Sequence, residues 1–158
     1  MEKVRAELIE TGNPQVKSGR IVIAVSRSEI FEILATPRMH SKFDGSGTVK
    51  QEADGPDRLS HGAKFGMQMR IKIPYRITNT CVEFDEGRLI GWRHFGHHIW
   101  RYELREISAV STEVTETFDA RPSIGKFWLR RINAYSNNQV AILKTLVRLK
   151  KLAEACLK

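Results

Sequence analysis

The stretch GWRHFGHHIWRYEL (residues 91–104) sets three histidines among two tryptophans, a phenylalanine and a tyrosine, and TEVTETFD (112–119) places Glu116 between Val114 and Phe118. Imidazoles bind metals or move protons near neutral pH. A carboxylate flanked by apolar neighbours is a candidate general acid or base. Whether these groups meet depends on strand pairing. If strands 88–94 and 98–105 form a hairpin around Phe95-Gly96-His97, His94 faces His98, Trp92 faces Trp100 and Ile90 faces Tyr102. All six then share one face, because strand side chains alternate. Opposed Cβ atoms lie about 5 Å apart, so His94 and His98 reach a common atom. His97 falls at the loop tip, in water.

A metal needs a third ligand. Pairing Leu104 with Val114 sets Glu116 beside Tyr102, about 13 Å from His98 at about 3.3 Å per residue. His40 and Asp44 are the remaining candidates, and the pattern does not place them. The expectation is therefore no metal and no cofactor, with two histidines at a cavity rim, bonded to each other or to water. Glu116 carries more information. On an inward face its carboxyl would be desolvated and its pKa raised. With the Tyr102 hydroxyl beside it, and His94 and His98 assisting, it would serve acid–base chemistry if the protein is an enzyme. The alternative is structural: Glu116 pairs with Arg93 or Arg101, or hydrogen-bonds Tyr102. Glu113, Thr115, Thr117 and Asp119 take the other face, which reads as the solvent side.

About six strands and three helices must position these groups. GRIVIAV (19–25) is a short strand. SRSEIFEILATP follows with Ser26 and Glu29 spaced as a capping box. TPRMHSKF then restarts a second short helix, with Thr36 as N-cap and Pro37 at the first turn. In KFGMQMRIKI (64–73), Phe65, Met67, Met69, Ile71 and Ile73 alternate with polar residues and glycine, the signature of a half-buried strand. YRITNTCVEF (75–84) shifts phase, which predicts a bulge near Asn79. LIGWRHF, HIWRYELRE and TEVTETFD complete about six antiparallel strands. From Pro122 the residues Trp128, Ile132, Tyr135, Gln139, Ile142, Leu146 and Leu149 recur at steps of four and three. That predicts one amphipathic helix over 122–155, facing the sheet.

Composition bounds the rest. At 158 residues the chain suits one domain, with residues 1–18 only weakly patterned. No apolar run approaches the roughly 18 residues of a membrane span. The glutamate-containing N-terminus lacks an export signal, so a cytoplasmic protein is expected. Cys81 and Cys156 make no disulfide framework, and Cys81 reads as core. The net charge of +8 lies wholly in residues 121–158, which hold nine basic side chains and one acidic one, Glu154. A solvated helix face accounts for this better than nucleic-acid binding, for which no motif is present. DGSG (44–47) is not a phosphate loop.

The order strand, two short helices, strands, long helix resembles the helix-grip superfamily, which includes START lipid-transfer domains and the polyketide cyclase/dehydrase group. IFEILATPRMHSKFDGSGTV, GAKFGMQMRIKIPYRITNTCVEF, WRHFGHHIWRYEL and TEVTETFD carry the likeness, nearest to an actinobacterial type. The resemblance implies an α+β fold: a curved antiparallel sheet of six to seven strands wrapped around the C-terminal helix, with a cavity between them. Phe65, Met67, Met69, Trp92, Trp100, Tyr102 and Phe118 on the sheet, with Trp128, Ile132 and Tyr135 on the helix, would line it. Three readings follow: a carrier of a small hydrophobic ligand, aromatic, polyketide- or lipid-like; a cofactor-free cyclase or dehydratase in the same cavity; or an interaction module using the basic helix. A homodimer is compatible with all three.

Overall fold

The computed structural model describes residues 5–50, 54–70 and 72–156. Seven strands form one antiparallel sheet: β1 (Glu7–Ile9), β2 (Val16–Ile23), β3 (Lys64–Arg70), β4 (Pro74–Asp85), β5 (Leu89–Arg93), β6 (Ile99–Ser108) and β7 (Ser111–Asp119). Their spatial order is β1-β2-β7-β6-β5-β4-β3. The weakly patterned N-terminus thus contributes an edge strand, and β2 begins at Val16, earlier than its apolar run. The turn between them is closed by the Thr11 hydroxyl, which donates to the carbonyls of Asn13 and Val16.

Two short helices link β2 to β3. α1 (Arg27–Ala35) starts at Ser26, whose hydroxyl accepts the Glu29 N–H as a cap. The second element is tighter than expected: a 3-10 turn over Pro37–Met39 runs into a single helical turn, α2 (His40–Phe43). Thr36 does not cap it. Its hydroxyl bonds back to the Glu32 carbonyl of α1 instead. The bulge in β4 falls between Cys81 and Glu83, two to four residues beyond Asn79. Ile73 is 75% exposed, so the apolar face of β3 ends at Met69. Ile71 lies outside the described residues.

The C-terminal helix is two pieces. α3 (Lys126–Arg131) stops at Ile132, and α4 (Ala134–Ala155) begins beyond Asn133, whose backbone is left-handed at φ +56°. Asparagine is among the few residues that tolerate this region. The break turns α3 away from the sheet. Trp128 and Ile132, expected to face it, are 64% and 58% exposed, and Leu129 is the buried residue of α3. The stripe survives in α4, where Ile142, Leu146 and Leu149 are completely buried. Each such side chain contributes about 1.5–3 kcal/mol of transfer free energy.

Two glycines let α4 come this close. A Cβ on Gly19 of β2 would meet Ile142 Cγ2 at 2.9 Å. At Gly45 it would meet the Thr145 backbone nitrogen at 2.3 Å, and the Gly45 N–H donates to the Thr145 hydroxyl at 2.9 Å. The DGSG loop is therefore a clamp on α4. An open seven-stranded antiparallel sheet holding a long C-terminal helix is the helix-grip architecture.

The outer sheet face departs from expectation. Thr117 and Asp119 are buried, not solvated. The Thr117 and Ser18 hydroxyls share a 2.9 Å hydrogen bond, and Asp119 is bracketed by Arg121 and Arg101. Arg101 in turn binds Glu83 through two nitrogens. Charge type alone misplaces such residues, because mutual pairing lets them leave water.

Candidate functional site

β5, β6 and β7 bring the chemistry-bearing residues to one face. The register matches the expected one: Trp92 pairs with Trp100, Ile90 with Tyr102, Leu104 with Val114 and Tyr102 with Glu116. Tyr102 and Glu116 are both buried, and the Tyr102 hydroxyl donates to Glu116 Oε1 at 2.9 Å. Of the partners considered, Tyr102 is the one Glu116 takes, since Arg101 is committed to Glu83 and Asp119. On its other side Glu116 pairs with Gly19, over which α4 settles.

Burial pushes the Glu116 carboxyl well above the usual carboxylate range. The Tyr102 hydrogen bond opposes this and the nearby Asp44 charge reinforces it. Asp44 stays in place because its carboxylate accepts the backbone N–H groups of Ser46, Gly47 and Val49. Tyr102 is likewise raised, first by burial and then by Glu116.

His40, a spare metal-ligand candidate that the sequence pattern leaves unplaced, completes the inner wall. It is 2% exposed and lies parallel to Trp92, with ring centroids 4.6 Å apart. Phe65 meets both rings edge-on. Its Nε2 is 2.8 Å from the Leu34 carbonyl, which can only accept, so Nε2 carries the proton and Nδ1 is a bare acceptor. Burial lowers its pKa from 6.5 to about 4. No sequence period signals this residue, because an irregular turn delivers it.

His94 and His98 meet as expected, perpendicular, with centroids 4.4 Å apart. The Gly96 N–H donates to His94 Nδ1 at 3.1 Å. A Cβ on Gly96 would press on both rings, at 3.0 Å from His94 and 3.2 Å from His98. Burial, followed by the neighbouring His94, lowers His98 to about 4, and burial also lowers His94. Among the described residues no group of three or more His, Cys, Asp or Glu is placed to hold a metal ion. His97, at φ +64°, is exposed at the tip.

Of the apolar residues expected to line the site, Phe65, Met67, Trp92, Tyr102 and Phe118 are buried. Met69, Trp100 and Tyr135 are half-buried beside them. Phe118 connects Trp100 and His98 to Tyr135 of α4. Trp128 and Ile132 are not brought to this wall. Cys81 is buried opposite Trp92, and burial raises its thiol to about 11, which keeps it unreactive. Among the described residues, one surface depression of about 170 Å³ lies at the β1–β2 turn, and another of about 660 Å³ lies along Gln68, Arg70 and Tyr75 and reaches Met69.

The fold is that of START-like, polyketide-cyclase-like proteins. A protein of Rhodobacter sphaeroides superposes with a TM-score of 0.69 at 11% identity, covering 96% of this chain and 99% of the other. The polyketide-cyclase-like protein Cgl2372 of Corynebacterium glutamicum superposes at 0.62 with 17% identity, over 91% and 94% of the two chains. In sequence, the uncharacterized protein Rv0088 of Mycobacterium tuberculosis is 38% identical over 113 residues, 71% of this chain and 50% of that protein. A second uncharacterized M. tuberculosis protein is 37% identical over the same share. The matched stretch thus spans half the length of these relatives. No protein-family model matches the chain.

Proposed function

We propose that the protein binds a small, mainly apolar ligand bearing hydrogen-bonding groups, aromatic or polyketide-like, between the inward sheet face and α4. One observation carries this reading. His40 Nδ1, Asn79 Nδ2, His98 Nδ1, Glu116 Oε2 and the Tyr135 hydroxyl are buried without a hydrogen-bond partner among the described residues. An unmet buried polar atom costs about 1–3 kcal/mol, and native proteins keep few of them. Here several belong to one aromatic wall, and a ligand carrying hydroxyl or carbonyl groups would meet both donors and acceptors. His94, His98, Trp100 and Tyr135 are only half-buried, so the wall reaches solvent at the 94–98 turn.

An apolar guest gains about 25 cal/mol per Å² buried, so an environment-sensitive naphthalene fluorophore should bind in the micromolar range and change tryptophan emission. Met67→Trp should weaken that binding while the domain stays folded, and Lys72→Ala on the exposed side should leave it unchanged. No probe binding to the parent protein, together with unfolding of Met67→Trp, would mean a solid core and end the proposal.

The Glu116–Tyr102 pair favours a second reading, a cyclase or dehydratase in the same place. A carboxyl held neutral beside a phenol can give its proton to a ligand carbonyl or departing hydroxyl. Turnover of a poly-β-ketone probe, abolished by Glu116→Gln while binding persists, would select the enzyme. An unchanged ligand recovered after prolonged incubation would select the carrier.

A further inference from the structure

The expectation that Trp128 and Ile132 face the sheet fails in an informative way, because they belong to a large apolar surface. Phe95, Ile124, Phe127, Trp128 and Ile132 are 76%, 74%, 69%, 64% and 58% exposed. They are drawn together by structure. The Ile124 N–H donates to the Gly96 carbonyl at 3.3 Å, tying the segment before α3 to the turn that carries Phe95. Phe127 and Trp128 pack edge to face at 5.8 Å. Soluble proteins seldom leave so many large apolar side chains together in water.

The segment that carries most of this surface has charge of one sign. Residues 120–153 contain no acidic side chain, and Lys126, Arg130 and Arg131 lie on α3 among the aromatics. Arg130 and Arg131 are exposed. Asp119, the nearest carboxylate in sequence, is already held by Arg121 and Arg101.

We infer that this face, α3 with the Phe95 turn, docks onto the surface of an anionic phospholipid bilayer. The chemistry fits at each level. Tryptophan and phenylalanine settle at the boundary between headgroups and acyl chains, while flanking arginine and lysine contact phosphate. Each basic side chain near an anionic surface adds roughly fivefold in affinity. A second copy of the chain would oppose arginine with arginine, and a nucleic acid would leave Ile124 and Ile132 without suitable partners. Among the described residues no helix is long and apolar enough to cross a membrane, so contact is at the surface. This inference is independent of any ligand held between sheet and helix.

The test is flotation of the full chain with vesicles of phosphatidylcholine alone and of phosphatidylcholine with about 30% phosphatidylglycerol, whose negative surface attracts basic side chains. Binding should require phosphatidylglycerol, weaken at high salt, and shift Trp128 emission to the blue, a shift lost in Trp128→Phe. Phe127→Ser/Trp128→Ser and, separately, Arg130→Gln/Arg131→Gln should each reduce binding at least tenfold. All four positions are exposed, so thermal melts should match the parent. No binding to either vesicle would overturn the inference, as would binding that neither variant changes. Self-association abolished by Phe127→Ser/Trp128→Ser, or displacement of vesicles by single-stranded DNA, would also overturn it by naming another occupant.

Discussion

Glu116→Gln tests the site most directly, because it changes charge capacity and little else. Glutamine keeps an acceptor for the Tyr102 hydroxyl and occupies nearly the same volume. The native carboxyl is raised by burial, whereas in the unfolded chain it titrates near 4.3. A carboxyl raised on folding makes the native state bind more protons than the unfolded one throughout the interval between the two values. Stability therefore falls as pH rises through that interval, by about 1.4 kcal/mol per pH unit, and levels off once the native carboxyl ionises. Glutamine cannot titrate. The variant should gain on the parent by that slope from about pH 4.5 upward.

The comparison is clean because other titrations cancel. His40 and His98 also shape the acid limb, but they are present in both proteins. Urea denaturation at half-unit intervals from pH 4.5 to 8, read by tryptophan emission, gives the difference at each pH. A difference that rises and then flattens locates the native carboxyl. A difference flat across the whole range would show that Glu116 is solvated and ordinary. Both functional readings would then lose their central group.

Three further outcomes follow from the packing and the histidines. His40 is depressed on folding, so its contribution is complete above pH 6.5 and is lost as pH falls toward 4, roughly 3 kcal/mol in all; His40→Phe should flatten the acid limb of stability, and an unaltered limb would place the effect elsewhere. Gly45→Ala should cost about 3 kcal/mol or more in chemical denaturation, because the added carbon meets α4 backbone that cannot yield, and a neutral result would mean the loop does not clamp the helix. Leu146→Ala should cost about 2–5 kcal/mol, whereas exposed Lys151→Gln should stay within about 0.5, and the reverse order would invert the assigned face of α4. Lys150 is a poor control, since its ammonium donates to the Val22 carbonyl and binds Glu154.

What could be read in advance was set by strict local rules. Alternation in a strand has period two, so the His94–His98 and Trp92–Trp100 oppositions follow from one turn, and Tyr102–Glu116 from one further pairing, Leu104 with Val114. What escaped was set by single residues or by distant partners. Asn133 adopts a left-handed backbone in the middle of an otherwise continuous helical stripe, and nothing distinguishes it beforehand from Asn137 or Asn138. Asp119 and Thr117 are polar yet buried, because their partners arrive from β2, β6 and the following loop. His40 reaches the wall through a 3-10 turn with no period to betray it.

The titrating groups act in opposite directions, and this defines when the inward wall is uncharged. Below about pH 6.5 the unfolded histidines gain protons that His40 and His98 resist until about 4. On the alkaline side Glu116 resists ionising well past its ordinary value, and Tyr102 stays a phenol beyond the ordinary tyrosine range. Between these limits imidazoles, carboxyl and phenol are all neutral, although every one is polar. Such a wall hydrogen-bonds a guest without demanding that the guest bring a counter-charge, which an apolar ligand cannot do. Binding of an uncharged fluorophore should therefore be level with pH inside this interval and fall when either limit is crossed. Glu116→Gln should extend the level region upward, and the double change His40→Phe/His98→Phe should extend it downward, since both imidazoles protonate at about 4. If affinity instead tracks a single ordinary carboxylate near pH 4.5, and neither variant moves it, the guest sits on the surface rather than against this wall.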